Sequence, residues 1–203
     1  IGNRGSDVWD GEPEGVYVPT DMPAQMVCKS DGCEIFVAGA RFDDRLIPFA
    51  VHKNEIDVVQ YGSDDTKTHR KIKHILGQKQ ADKVGRLLVS ELYTVGAGGW
   101  SGFPPHKHDT DRLPNETRHD EVYNFRFKPS HGFGMQLLEP CEDKLGEAFH
   151  IVDGSSFAIK SGYHPCVVAP GYEMYYFTIL GGLSQRSLVQ YFQPEHAWQV
   201  EII

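Results

Sequence analysis

Short runs rich in β-branched and aromatic residues, broken by turn residues, recur along the chain, and no segment sustains a long helical period. The runs that read as strands are 16–18, 24–28, 34–38, 87–95, 121–127, 134–138, 149–152, 156–160, 166–169, 173–180 and 188–192. Turn signals separate them at Asp31-Gly32, Gly96-Ala97-Gly98-Gly99, Asp153-Gly154, Pro170-Gly171 and Gly181-Gly182. Many short strands at this spacing predict an all-β antiparallel sandwich or barrel. A weak internal repeat relates residues 16–36 to 158–175, each a strand, turn, strand, turn and returning strand. Residues 1–40 supply only about three strands, too few to close a barrel. We therefore expect 1–40 to be the remnant of a first, incomplete barrel, 41–85 a connector, and 86–203 a full second barrel.

Composition narrows the class. With 203 residues, 40% hydrophobic and 24% charged, the chain is long enough and apolar enough to bury a core. No apolar run approaches the roughly 20 residues of a membrane span, and the first residues lack a signal peptide's apolar stretch, which points to a cytoplasmic protein. The chain does not begin with Met, so strands upstream of Ile1 are expected. A formal net charge of −8 argues against nucleic acid as a partner. The densest basic stretch, Lys67 to Lys79, reads as a solvated connector. An anionic ligand would need a local cationic pocket against that overall field. The four cysteines form no CxxC pair and are expected to be reduced, although Cys28 and Cys33 flank a turn and could face each other. A homo-oligomer is left open.

The chemistry is concentrated in Phe103-Pro104-Pro105-His106-Lys107-His108. In an extended chain, residues i and i+2 project to one face, so His106 and His108 form half of a metal site. Downstream, Glu121 opens a strand-like run and His164 lies in Ser161-Gly162-Tyr163-His164-Pro165. Three neutral nitrogens and one carboxylate oxygen suit a borderline divalent cation, with room left for a substrate oxygen. His119 and Asp120 compete as ligands, but strand parity and the Glu-Val-Tyr context favour Glu121.

With His106, His108, Glu121 and His164 in this order, the chain resembles the cupin superfamily. More narrowly, it resembles the 5-deoxy-glucuronate isomerase family of myo-inositol catabolism, a two-cupin protein. The resemblance is carried by Pro104 to Asp109, Leu113 to Thr117, Glu121-Val122-Tyr123, Gly132 to Gln136, Gly162 to Pro165, Ala169 to Tyr176 and His196-Ala197-Trp198. Residues 6–41 resemble the later part of that family's first cupin. Two departures from the general cupin pattern are Lys160, where a Pro is usual, and the single residue between Gly162 and His164.

The resemblance implies a metal-dependent aldose–ketose isomerase converting 5-deoxy-glucuronate to 2-deoxy-5-keto-gluconate, with zinc, manganese or iron as the ion. Around the metal, Tyr123, Tyr176 and Lys107 are candidates to move the proton, although alternation turns Lys107 away from the histidine pair. Arg126, Lys160, Gln136 and Tyr175 are candidates to hold the substrate, Arg126 only if its strand bulges. Cys166 could face the same cavity, although a small buried apolar role is expected of it. The rival readings are the sister isomerase acting on 4-deoxy-5-hexosulose-uronate, an iron-dependent cupin dioxygenase, and a sugar-binding cupin without turnover.

Overall fold

The computed structural model describes residues 1–140 and 144–202, so Cys141 lies outside the described residues. Fourteen strands follow one another with only three short 3-10 helices among the described residues. They are β1 (Gly15–Tyr17), β2 (Phe49–Val51), β3 (Asp57–Tyr61), β4 (Arg70–Leu76), β5 (Leu87–Thr94), β6 (Trp100–Ser101), β7 (His106–Lys107), β8 (His119–Lys128), β9 (Phe133–Leu138), β10 (Glu147–Val152), β11 (Ser156–Ile159), β12 (Cys166–Val168), β13 (Glu173–Gly182) and β14 (Tyr191–Phe192). The helices span Lys53–Glu55, Gln78–Gln80 and Ala197–Ile202. No helix among the described residues is long and apolar enough to cross a membrane.

Two sheets carry the architecture. The larger runs β11-β8-β13-β5-β4-β3 and the smaller runs β10-β9-β12-β6, while β1 pairs with β2 and β14 with β7. Every pairing is antiparallel. Between the two main sheets lies an apolar core of Tyr123, Phe125, Phe127, Ile151, Ile159, Cys166, Val168, Met174 and Tyr176. Full burial of each large side chain contributes about 1.5–3 kcal/mol, which drives the sheets together.

The larger sheet is covered on its other face too. Ile75, Leu76, Leu87, Val89, Tyr93, Tyr175 and Phe177 pack there against Val8, Trp9, Tyr17 and Phe36 from the first forty residues. β13 is therefore buried on both faces, and neighbouring residues serve different cores: Tyr176 faces between the sheets and Tyr175 faces the N-terminal segment. A buried polar knot anchors this outer layer. Arg4 donates to both Glu91 oxygens, at 2.9 Å for Nη2–Oε2, and Glu91 also accepts from Tyr93 (2.9 Å) and Tyr175 (3.0 Å).

Residues 41–85 differ from the connector reading. They supply β2, β3 and β4, and the last two extend the larger sheet by pairing with β5. The basic stretch hides a strand because two of its cations are buried rather than solvated: Arg70 is 9% exposed, and Lys73 is 3% exposed and bonds Glu12 (3.1 Å) and the Gly11 carbonyl (2.5 Å). The runs 24–28 and 34–38 form no strand. Cys28 and Cys33 are free and exposed, and Cys166 is free and buried.

Arg4→Ala leaves Glu91 buried without its cation, and should lower stability by about 3 kcal/mol or more, read as a lower urea midpoint at unchanged slope. Contacts with the Ser30 backbone and the Cys33 thiol lower the Cys28 thiol to about 7, and the same pairing raises Cys33. Alkylation by iodoacetamide should therefore rise through about pH 7 at Cys28 as the thiolate forms, and only at higher pH at Cys33. Cys166, whose thiol is pushed up by burial, should react only after denaturation, with peptide mass spectrometry giving the order.

Candidate metal centre

Three histidines and a glutamate meet inside the barrel. One ring nitrogen from each of His106, His108 and His164 lies within 4.8 Å of the others. Glu121 Oε2 is 3.1 Å from His108 Nε2 and 3.3 Å from His164 Nε2. Each comes from a different place in the fold. His106 sits in β7, held to β14 by its pairing with Phe192, and His108 follows just beyond it. Glu121 projects inward from β8, and His164 precedes β12.

The second nitrogen of each ring fixes its tautomer. Nδ1 of His106 donates to Pro104 O (3.2 Å), that of His108 to His119 O (3.1 Å) and that of His164 to Gly162 O (2.8 Å). A proton on Nδ1 leaves Nε2 as a lone pair, and all three lone pairs converge on one space. Gln190 donates its amide to His106 Nε2 at 2.9 Å, which fits that assignment.

The turn before His164 is itself anchored. Asp109 Oδ2 accepts from Gly162 N at 2.8 Å, tying the loop after His108 to the turn that aims His164. Gly162 has φ +91°, and a Cβ there would stand 2.5 Å from Glu139 O, so only glycine fits.

The donor set fits a divalent cation. His164 Nε2 is buried and has no hydrogen-bond partner, although it stands 3.3 Å from a carboxylate oxygen. A lone pair facing a carboxylate is repulsive unless positive charge lies between them. Bonds of about 2.1 Å to an ion need donors within about 4.2 Å, so the cluster would close by well under an ångström.

Electrostatics describe the same demand. Burial works against ionised Glu121, but the electrostatic pull of the adjoining His108 and His164 outweighs it and holds the carboxyl far below its ordinary value. Burial also opposes charge on His108, yet Glu121 draws that imidazole upward. Burial and the two neighbouring rings push His106 well down.

Among the proton-transfer candidates, Tyr123 and Tyr176 are brought to this interior. The Tyr123 ring is 6.4 Å from that of His164 and 4.4 Å from that of Tyr176, whose hydroxyl pairs with Ser101 Oγ at 2.7 Å. Burial raises both phenols well above their ordinary value, with Glu121 adding to the shift at Tyr123, so both are neutral donors.

Lys107 is not brought there. Alternation turns it outward, onto Asp109 (2.7 Å) and Glu116 (3.2 Å). Of the substrate candidates, Gln136 is fully buried beside His164, donating to its carbonyl at 2.9 Å, and its Oε1 has no partner. The other three lie elsewhere. Arg126 is on the opposite face of β8, which runs without a bulge against β13, and bonds Glu34 at 2.5 Å. Lys160 is exposed, and Tyr175 belongs to the Glu91 knot.

His119 is buried on the inner parity, but its nitrogens are spent on Arg186 O (3.1 Å) and Thr117 Oγ1 (3.4 Å), and Asp120 points outward. Two further residues complete the site without a chemical signature in the sequence. Thr178 donates to Glu121 Oε1 at 2.7 Å, and Gln190 caps His106. Thr178 shares the parity of Tyr176 on β13, which was the available signal. Gln190 lies in a loop whose path no periodicity reveals.

The model of the KduI/IolB family matches residues 1–199. The chain belongs to the KduI/IolB family. Relatives include a 5-deoxy-glucuronate isomerase of Geobacillus kaustophilus, 34% identical over 93% of this chain and 66% of its own length. Another, from Bacillus licheniformis, is 36% identical over 99% of this chain and 72% of its own. The chain thus spans about two-thirds of the length of these relatives. Among solved structures, an IolB-like protein from Salmonella typhimurium LT2 superposes with a TM-score of 0.71 at 31% identity, over 77% of this chain and 57% of that one. The fold is the all-β cupin barrel, with the histidine cluster between its sheets.

Metal analysis of purified variants tests the ligand set. His106→Ala, His164→Ala and Glu121→Gln should each lose bound divalent metal by tenfold or more, while His119→Gln keeps it. Stoichiometric metal in the first three would show that other side chains hold it.

Proposed function

We propose that this chain is the catalytic part of a metal-dependent aldose–ketose isomerase that converts 5-deoxy-D-glucuronate to 2-deoxy-5-keto-D-gluconate. The carrying observation is the four-donor cluster of His106, His108, His164 and Glu121, buried in a chain of the KduI/IolB family. The curated relatives named as 5-deoxy-glucuronate isomerases support the substrate. Zinc is the ion we assign, because the reaction needs no redox change.

In this reaction the hydrogen on C2 moves to C1, and the C2 hydroxyl proton ends on the C1 oxygen. A bound divalent ion supplies positive charge to those two oxygens. The protein's part is to place and protect them. His106, His108 and His164 present neutral lone pairs, and Thr178 holds Glu121 through its Oε1. Tyr123 and Tyr176, kept protonated by burial, can donate to a substrate oxygen on which charge grows. The apolar wall of Phe125, Ile159 and Met174 excludes water from the reacting carbons.

The test is to supply 5-deoxy-glucuronate to metal-loaded full-length protein without oxygen and follow the ketose by NMR. Product should form with zinc and fall at least 100-fold in Glu121→Gln. Turnover of 4-deoxy-5-hexosulose-uronate alone would move the assignment to the sister isomerase. Oxygen consumption with iron loaded, and no ketose, would replace it with a dioxygenase.

A further inference from the structure

Among the described residues, buried cations are neutralised or saturated, with one exception. Arg4 is paired with Glu91 and Lys73 with Glu12. Arg186 spends its N–H groups on the carbonyls of Leu76, Gly77 and Leu87 at 2.8–2.9 Å. Arg70 is 9% exposed, and its one hydrogen bond runs from Nη1 to Phe103 O at 2.6 Å. No carboxylate among the described residues pairs with it. A guanidinium carries five N–H donors in a planar fork, so most of this group's capacity is unspent.

The sheet aims it into the barrel. Arg70 pairs with Thr94 of β5, which exchanges hydrogen bonds with Met174, and Met174 pairs with Phe127. Met174 and Phe127 both belong to the core between the sheets. Burial pushes the Arg70 guanidinium down from its ordinary value, while Tyr176, Cys166 and Tyr123 act to raise it. Cys166 and Tyr176, both in the core between the sheets, are influenced electrostatically by Arg70 and by Glu121 alike.

Two more observations point to a ligand in that space. Gln136 Oε1 is a fully buried acceptor without a donor, and Gln136 pairs with Cys166 across β9 and β12. Phe103, whose carbonyl Arg70 grips, lies three residues before His106, so the guanidinium is tied to the segment that delivers the histidine pair.

We propose that Arg70, on the inner face of the sheet that also carries Glu121, receives the substrate carboxylate, and so makes the site selective for uronates over neutral aldoses. The inference rests on the isomerase reading for its substrate. It assigns to the basic strand β4 the cationic pocket that a chain of net charge −8 needs for an anionic ligand.

The experiment compares metal-loaded wild type, Arg70→Lys and Arg70→Met on 5-deoxy-glucuronate and on 5-deoxy-glucose, where an alcohol replaces the carboxylate. Calorimetric binding of the acid and metal content are read on the same preparations. Arg70→Met should raise KM for the acid about 100-fold with kcat within a few-fold, keep its metal, and lose the preference for acid over alcohol. Arg70→Lys should fall between, and added guanidinium should restore part of the loss to Arg70→Met. An acid preference unchanged in Arg70→Met would overturn the proposal. So would metal lost in parallel with activity, which would make Arg70 only a brace for the Phe103 carbonyl. If wild type turns over neither sugar, the isomerase reading fails, and acid binding that weakens in Arg70→Met still decides the role of Arg70.

Discussion

Glu121 Oε2 stands within 3.3 Å of two imidazole nitrogens whose protons are committed elsewhere, and all of these groups are buried. Such an arrangement is stable only with positive charge at its centre, and much of the surrounding structure serves to hold it. The Nδ1 bonds to backbone carbonyls fix the rings, and Thr178 fixes the carboxylate. Asp109 couples the two loops that deliver His108 and His164, so one side chain coordinates ligands 56 residues apart in sequence. Glu116 in turn gathers Lys107, Arg112 and the Asp109 amide, which makes the loop between His108 and β8 a brace.

The sheet that carries Glu121 is sandwiched, and this sorts its aromatic residues by parity. Tyr176 and Thr178 look toward the cluster, and Tyr175 and Phe177 look toward the layer built by the first ninety residues. Strand β4 closes the same sheet and delivers Arg70 to the inner face and Lys73 to the outer one. The N-terminal region is therefore not separable from the site: it supplies both the cover of β13 and β5 and a strand of the barrel wall.

How far the sequence could be read follows from these two facts. His106, His108, Glu121 and His164 were legible because extended spacing, parity and order suffice to bring them together. Most strands from Leu87 onward were legible for the same reason, since each has one clear apolar face. β4 was not, because its alternation is carried by Arg70 and by Lys73, which look like surface residues until their burial and partners are known. Tyr175 and Tyr176 could not be assigned to separate cores from a run that is apolar on both faces. Arg126 was drawn in by charge alone, although its parity on β8 already placed it with Asn124 on the outer face. The runs 24–28 and 34–38 have strand-like composition but find no pairing partner among the described residues. Composition proposes a strand, and only a neighbour's edge makes one.

Charge sets the last constraint. The chain carries a formal −8, and under the proposed function an anionic sugar acid would approach against that field. Inside the barrel the balance inverts. Glu121 is the acidic group of the four-donor cluster, and a divalent ion there more than offsets it. The phenols of Tyr123 and Tyr176 are kept neutral by burial, so they add no anion. The acidic residues nearest the loops are consumed in pairs, Asp109 and Glu116 by Lys107 and Arg112. Arg70 adds an unpaired positive charge to the same interior. If Arg70 takes the carboxylate as proposed, a cation at each end of the bound molecule would select it by its charge and length together. That is the discrimination a uronate isomerase needs and a neutral-sugar isomerase does not.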